Sequence, residues 1–266
     1  CFLGVASVLN IGLDLFFVLK LNWGLQGAAL ATVIAQAVSG VGLGVYIWKR
    51  EPFFRFSLRE FMQGEKPAAE ICKYSGMTCM QQSVMNFGIL MVQSLVNSFG
   101  PAVMAAFAAT VKIDTFAYMP AQEFGNAYSI FISQNHGAGE AKRVREGTRK
   151  ALGVSAVFCA AVSVVVFALA RYLMLIFVKA QDTQIIEIGM QYLRTEGAFY
   201  VGIGILFLLY GYFRGINRPG ISLVLTIISL GTRVVLAYIL AAVPAIGVLG
   251  IWWAIPIGWA LADAVG

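Results

Sequence analysis

Long apolar runs recur along this chain at intervals that leave room for little else. A helix needs about 20 apolar residues to cross the hydrocarbon layer of a bilayer. Eight segments qualify: 2–20, 25–48, 72–98, 101–133, 149–178, 185–213, 219–241 and 246–266. Composition agrees, with 59% apolar and 12% charged residues and a mean hydropathy of +0.80. A soluble core this apolar would leave large greasy patches in water. The expected fold is therefore an all-α, polytopic transmembrane bundle. The chain opens and closes inside apolar runs, which reads as a piece of a longer protein. Segment 101–133 is long enough for a bend at Pro120 and Gly125. Segment 185–213 is the weakest span, because it starts with the charged residues Glu187, Arg194 and Glu196.

The basic residues orient these spans. Segments 49–73, 134–150 and 214–218 carry thirteen Lys and Arg, whereas the alternate connections carry only Lys20, Arg171 and Lys179. Cytoplasmic loops hold the excess of positive charge, which places the first set inside the cell. Dispersed in this way, the net charge of +6 does not point to nucleic acid. The connections around Asn22, Gly100 and Pro244 are short and force antiparallel neighbours. Segment 49–71 mixes Phe53, Phe54, Phe56 and Phe61 with Arg and Glu, and reads as an amphipathic cytoplasmic linker. It divides the chain into 1–48, the last two helices of one lobe, and 72–266, a six-helix lobe. A weak echo supports two halves: 9–16 resembles 228–235, and 24–31 resembles 247–254.

No ATP-binding loop of the GxxxxGK[ST] kind is present, nor HExxH or GxSxG. A single histidine, His136, excludes a multi-histidine metal site. Cys72, Cys79 and Cys159 form no CxxC pair and read as small buried residues. An enzyme is not expected, because no catalytic constellation is visible.

An ionisable group inside a span is costly and marks a candidate site. Asp14 is the sharpest. Asn10 lies one turn before it on the same face, and Thr32 lies in the middle of the next, antiparallel span. Carboxylate, amide oxygen and hydroxyl together can hold Na⁺, or the carboxylate can carry a proton; the plainer alternative is a hydrogen bond between helices. Lys112 and Asp114, two apart, point to different faces, and Lys112 either lines a cavity or extends to an interface. Glu123 follows Pro120 and either lines a cavity or satisfies the freed backbone, and Arg233 at mid-span needs an anion or several carbonyls, as a structural clamp or a substrate contact. Arg194 and Glu196 read as solvated or interfacial. Gln82, Asn86, Gln93 and Asn97 form a polar stripe that faces either a wet cavity or another helix.

These residues resemble a known family. Asn10-x-x-x-Asp14 and the run 24–36, from Gly24 through Thr32 to Gln36, are similar to the fifth and sixth helices of multidrug and toxic compound extrusion (MATE) transporters. Ser133-Gln134-Asn135-His136-Gly137-Ala138-Gly139 followed by Arg143 resembles that family's Gly-Gln-Asn-x-Gly-Ala-Gly loop, with Ser133 in place of the first Gly. Arg214-Gly215-Ile216-Asn217-Arg218-Pro219 and the run 250–256, with Trp252, Trp253 and Pro256, resemble the turn after the tenth helix and the start of the twelfth.

The resemblance covers the whole chain as helices five to twelve. It implies a two-lobed antiporter that exports organic, often cationic, compounds in exchange for H⁺ or Na⁺. It implies no further cofactor and no ATP, a multi-pass place in the cell membrane, and a monomer. It would make Asp14, Asn10 and Thr32 the coupling site, with a first-helix acidic partner lying before Cys1. Some members place acidic residues on the seventh and tenth helices instead. No carboxylate falls in 77–98 or 199–213, so the weight rests on Asp14. A lipid-linked oligosaccharide flippase is the alternative, and it would need cations such as Lys112 and Arg233 in its cavity.

Overall fold

The computed structural model describes residues 2–50 and 65–266. Nine α-helices account for nearly all of them, and no strand occurs among the described residues. In chain order they are α1 (Phe2–Leu15), α2 (Gly24–Arg50), α3 (Glu65–Asn97), α4 (Pro101–Gly137), α5 (Ala141–Phe177), α6 (Thr183–Gly197), α7 (Tyr200–Gly215), α8 (Pro219–Ala241) and α9 (Val248–Val265). A π-helical turn, Phe16–Lys20, continues α1.

Side chains turned outward are what the bilayer requires. Leu25, Phe116, Val157, Tyr172 and Ile176 are all well exposed. In water such a surface would be a liability, whereas in hydrocarbon it costs nothing. By length and composition α2, α4, α5, α8 and α9 can each cross a membrane, and the bent pair α6–α7 makes a sixth span. The protein is a multi-pass helical membrane bundle. Two of the eight segments fall short of that measure. In α1 the α-helical part is only 14 residues long, and in α3 the Gln and Asn residues dilute the apolar ones.

Three boundaries differ from the sequence expectation. First, segment 185–213 is not one rod: α6 and α7 meet at 53°, and Ala198 and Phe199 lie between them. Second, α5 starts eight residues early, because its first two turns, rich in Lys and Arg, stay helical in water. Third, α4 runs unbroken through Pro120. Of the cysteines among the described residues, only Cys159 is buried; Cys72 and Cys79 are exposed, because their face of α3 is not the packed one. The linker expected over 49–71 falls largely on 51–64, outside the described residues, and its last seven residues, 65–71, belong to α3.

The chain divides into two compact units, Cys1–Ala69 and Glu70–Gly266. In the first, α1 and α2 form an antiparallel pair. Phe2 meets Tyr46 at one end and Phe17 stacks on Trp23 at the other. Gly27 permits that contact, because a Cβ there would stand 2.9 Å from the Phe17 Cβ.

In the second unit α7 runs through the centre, against α4, α5, α8 and α9. Glycines set how closely it packs. A Cβ on Gly211 would fall 2.5 Å from the Gly125 carbonyl oxygen, and one on Gly204 would fall 2.5 Å from the Cys159 Sγ. Small residues allow this close backbone approach, and dispersion between helices does the rest in a solvent as apolar as leucine. The aromatic centre is Trp252, fully buried, stacked on Phe107 and met edge-on by Tyr192.

Candidate functional site

The carboxy-terminal unit holds a cavity of about 260 Å³ between its helices. Its walls are mostly apolar, yet Asp114 of α4, Glu196 of α6 and Arg233 of α8 all open onto it. Asp114 is 2% exposed and Glu196 is 3% exposed. The Tyr200 hydroxyl donates a hydrogen bond to Asp114 Oδ1. Tyr192 lines the same cavity beside both carboxyl groups and Arg233. Asp114 Oδ2, Glu196 Oε2 and Arg233 Nε are buried with no partner. Buried polar atoms are almost always paired. With three such atoms around it, this cavity is the candidate site of the unit.

Local sequence explains the convergence. On α6 the buried residues Ile186, Gly189, Leu193 and Glu196 follow each other at steps of three and four, so Glu196 lies on the packed face. Arg194, two residues away, turns outward and rests its guanidinium 5.5 Å from the Phe167 ring. The break at Ala198 and Phe199 makes Glu196 the end of one helix rather than the start of a span. Its expected solvated place is therefore corrected to a buried one. A helical-face reading of 183–197 alone would have found it; the assumption of one straight span concealed it.

On α4 the spacing of two separates Lys112 from Asp114 as expected. Asp114 faces the cavity, whereas Lys112 is exposed, 6.0 Å from the Phe177 ring, in a shallow groove with Lys179 and Asp182. Lys112 thus extends along its apolar stem towards the connection after α5. Glu123 is exposed and accepts from Asn126 at 3.3 Å, and Asn126 Oδ1 in turn accepts from Arg214 at 3.0 Å. Its neighbour Gln122 lines the cavity instead.

The polar stripe of α3 lies on the outer side of this unit. Gln82, Asn86 and Asn97 are exposed and Gln93 is half-buried, donating to Asn97 at 3.0 Å. From this helix the cavity takes Met85 and Ile89. Gln81, unremarked in the sequence, is the buried polar residue of α3 and donates to Thr226 Oγ1 at 3.0 Å. Asp263 of α9, near the end of an apolar run, is a further ionisable residue of this unit. It is half-buried, and its Oδ1 has no partner.

In the amino-terminal unit Asn10 and Thr32 do meet. Asn10 Nδ2 donates to Thr32 Oγ1 at 3.3 Å, and Thr32 donates to the Ala28 carbonyl at 3.0 Å. Asp14 is half-buried one turn further on, and its Oδ1 is buried without a partner. Among the described residues no group of three or more metal-ligating His, Cys, Asp or Glu occurs.

Known proteins share this architecture. The family model MatE matches residues 77–239. A probable multidrug resistance protein of Bacillus subtilis, YpnP, is 31% identical over 86% of this chain and 50% of its own length. A probable multidrug resistance protein NorM of Thermotoga maritima is 28% identical over 94% of this chain and 54% of its own. The mouse multidrug and toxin extrusion protein 2 is 26% identical over 93% and 43%. This chain therefore spans about half the length of the curated relatives it matches.

Among solved structures, a MATE protein in complex with MaL6 superposes with a TM-score of 0.91 at 24% identity, covering 98% of this chain and 59% of that one. A MOP superfamily transporter from Pyrococcus furiosus, described as having a binding pocket of reverse polarity, gives the same values. These two establish the fold. With the family model matched over more than half of its residues, the chain belongs to the MatE family.

Proposed function

We propose that this chain is part of a secondary antiporter that exports organic, often cationic, compounds from the cell across its plasma membrane. Inward H⁺ or Na⁺ movement would drive it, by alternating access of two lobes in a monomer and without ATP. The observation that carries the reading is the burial of Asp114 and Glu196 together, each with an unpartnered oxygen, on one cavity of a membrane unit. Two adjacent carboxylates away from water repel, and a loaded cation or a shared proton relieves that repulsion. Release restores it. A lobe that is stable in one shape when loaded and in another when empty has the differential free energy that alternating access needs.

Arg233 on the same wall favours a proton over a metal cation at this pair. Asp14 with Asn10 and Thr32 offers oxygen ligands of the hard type, the alternative seat for Na⁺. The names of the YpnP and NorM relatives support drugs as the cargo. The flippase reading loses a support, since Lys112, one of the two cations it would use, lies on the outside of its helix.

Everted vesicles holding the full-length protein test this reading. A fluorescent organic cation should move when a pH or sodium gradient is imposed, and should stop moving when the gradient is collapsed. Transport that persists without either gradient and requires ATP would overturn it.

A further inference from the structure

The end of the carboxy-terminal unit that the Lys and Arg distribution assigns to the cytoplasm has a second feature, remote from the carboxylates. A groove of about 760 Å³ runs between the start of α5 and the α7–α8 corner. Arg145 and Arg149 enter it from α5, one turn apart, and Arg218 enters from the corner. Like charges at a spacing of four destabilise a helix. No carboxylate lines the groove to offset them. Glu146, next to Arg145 in sequence, turns instead into a separate groove with Arg143 and Lys150. Acidic and basic residues are thus mixed in one groove and wholly basic in its neighbour.

Apolar side chains line the same groove: Val144, Leu152 and Ile216, together with Tyr212. An uncharged run of α5 begins at Ala151, immediately after Lys150, and continues to Ala170. The groove therefore falls where the basic start of α5 meets its membrane-crossing part. A free anion needs only the guanidiniums. Apolar side chains at the edge of the bilayer suit a molecule with a phosphate head and acyl stems.

We propose that this groove binds an anionic phospholipid of the cytoplasmic leaflet, its phosphate held by Arg145, Arg149 and Arg218. Basic pockets at the cytoplasmic ends of transmembrane helices are the sites that such headgroups select. Bidentate guanidinium–phosphate pairing gives the preference for arginine here a geometric reason. Bound lipid would join the first two turns of α5 to the start of α8. The inference is independent of the direction of transport or its coupling ion.

The test is lipid retention by the full-length protein, purified in mild detergent and read by native mass spectrometry. Dioleoylphosphatidylglycerol should bind more tightly than dioleoylphosphatidylcholine. Each arginine replaced should weaken it about fivefold, the factor given by about 1 kcal/mol per basic residue. R145Q/R149Q/R218Q should abolish the preference, and R143Q/K150Q in the adjacent groove should keep it. If the triple variant does not fold, R218Q alone carries the comparison, because it leaves α5 untouched. Equal retention of the two lipids by the unmodified protein would overturn the proposal. So would equal loss in R143Q/K150Q, or displacement of the lipid by millimolar inorganic phosphate, which would make the groove a site for soluble anions.

Discussion

The hydroxyl of Tyr200, on the first turn of α7, donates to Asp114 Oδ1 at the middle of α4. This bond links the unit's long helix α4 to the helix that begins after the 53° bend. Tyr200 is among the largest fully buried side chains, so the bond has no water to replace it. Tyr200→Phe removes the donor and leaves the carboxyl with neither oxygen paired by this contact. The expected cost is about 1–3 kcal/mol, seen as a lower unfolding midpoint of the purified protein. An unchanged midpoint would show that the bond contributes nothing net.

Asp114 and Glu196 should act as a unit. Glu196→Gln and Asp114→Asn are each expected to reduce gradient-driven efflux by about tenfold or more, and the double variant to fall little further, as for groups that work together. Initial rates in vesicles check this. Multiplicative losses in the double variant would separate the two residues into different steps.

Asn10 and Thr32 share a hydrogen bond and Asp14 does not. Thr32→Val should cost about 0.5–1.5 kcal/mol of stability and leave proton-driven efflux in place. If the amino-terminal unit seats the coupling ion, Asp14→Asn abolishes coupled efflux; if Asp14→Asn transports normally under both pH and sodium gradients, the coupling role belongs to Asp114 and Glu196 alone.

Two glycine substitutions should have opposite signs. Gly211→Ala drives a methyl against the Gly125 carbonyl, 2.5 Å away, and should destabilise by about 1–3 kcal/mol. Gly231→Ala, on α8 with nothing within 4 Å of the added carbon, should stabilise by about 0.5–1 kcal/mol through helix propensity. Thermal unfolding in detergent reads both.

Much of the fold follows from the sequence for one reason. In a bilayer every backbone group must find its partner within its own helix, so the apolar runs settle that the chain is helical, and roughly where each helix lies. The facing of Asn10 and Thr32 also follows, because a short connection at 21–23 makes α1 and α2 antiparallel. Opposite faces for Lys112 and Asp114 follow from a spacing of two.

Tertiary structure decided the rest. Hydropathy cannot distinguish one straight span from two helices meeting at Ala198 and Phe199, since both are equally apolar. That break turned Glu196 inward beside Asp114, which lies 82 positions earlier in the chain. Whether a polar residue on an apolar helix faces lipid, another helix or a cavity depends on what packs beside it. Gln81 is buried against Thr226 while Gln82, its neighbour, faces outward. The sequence alone determined that charges would lie inside the membrane. Only the packing of α4, α6, α7 and α8 decided that Asp114, Glu196 and Arg233 share one cavity, because a buried charge is set by its neighbours in space rather than along the chain.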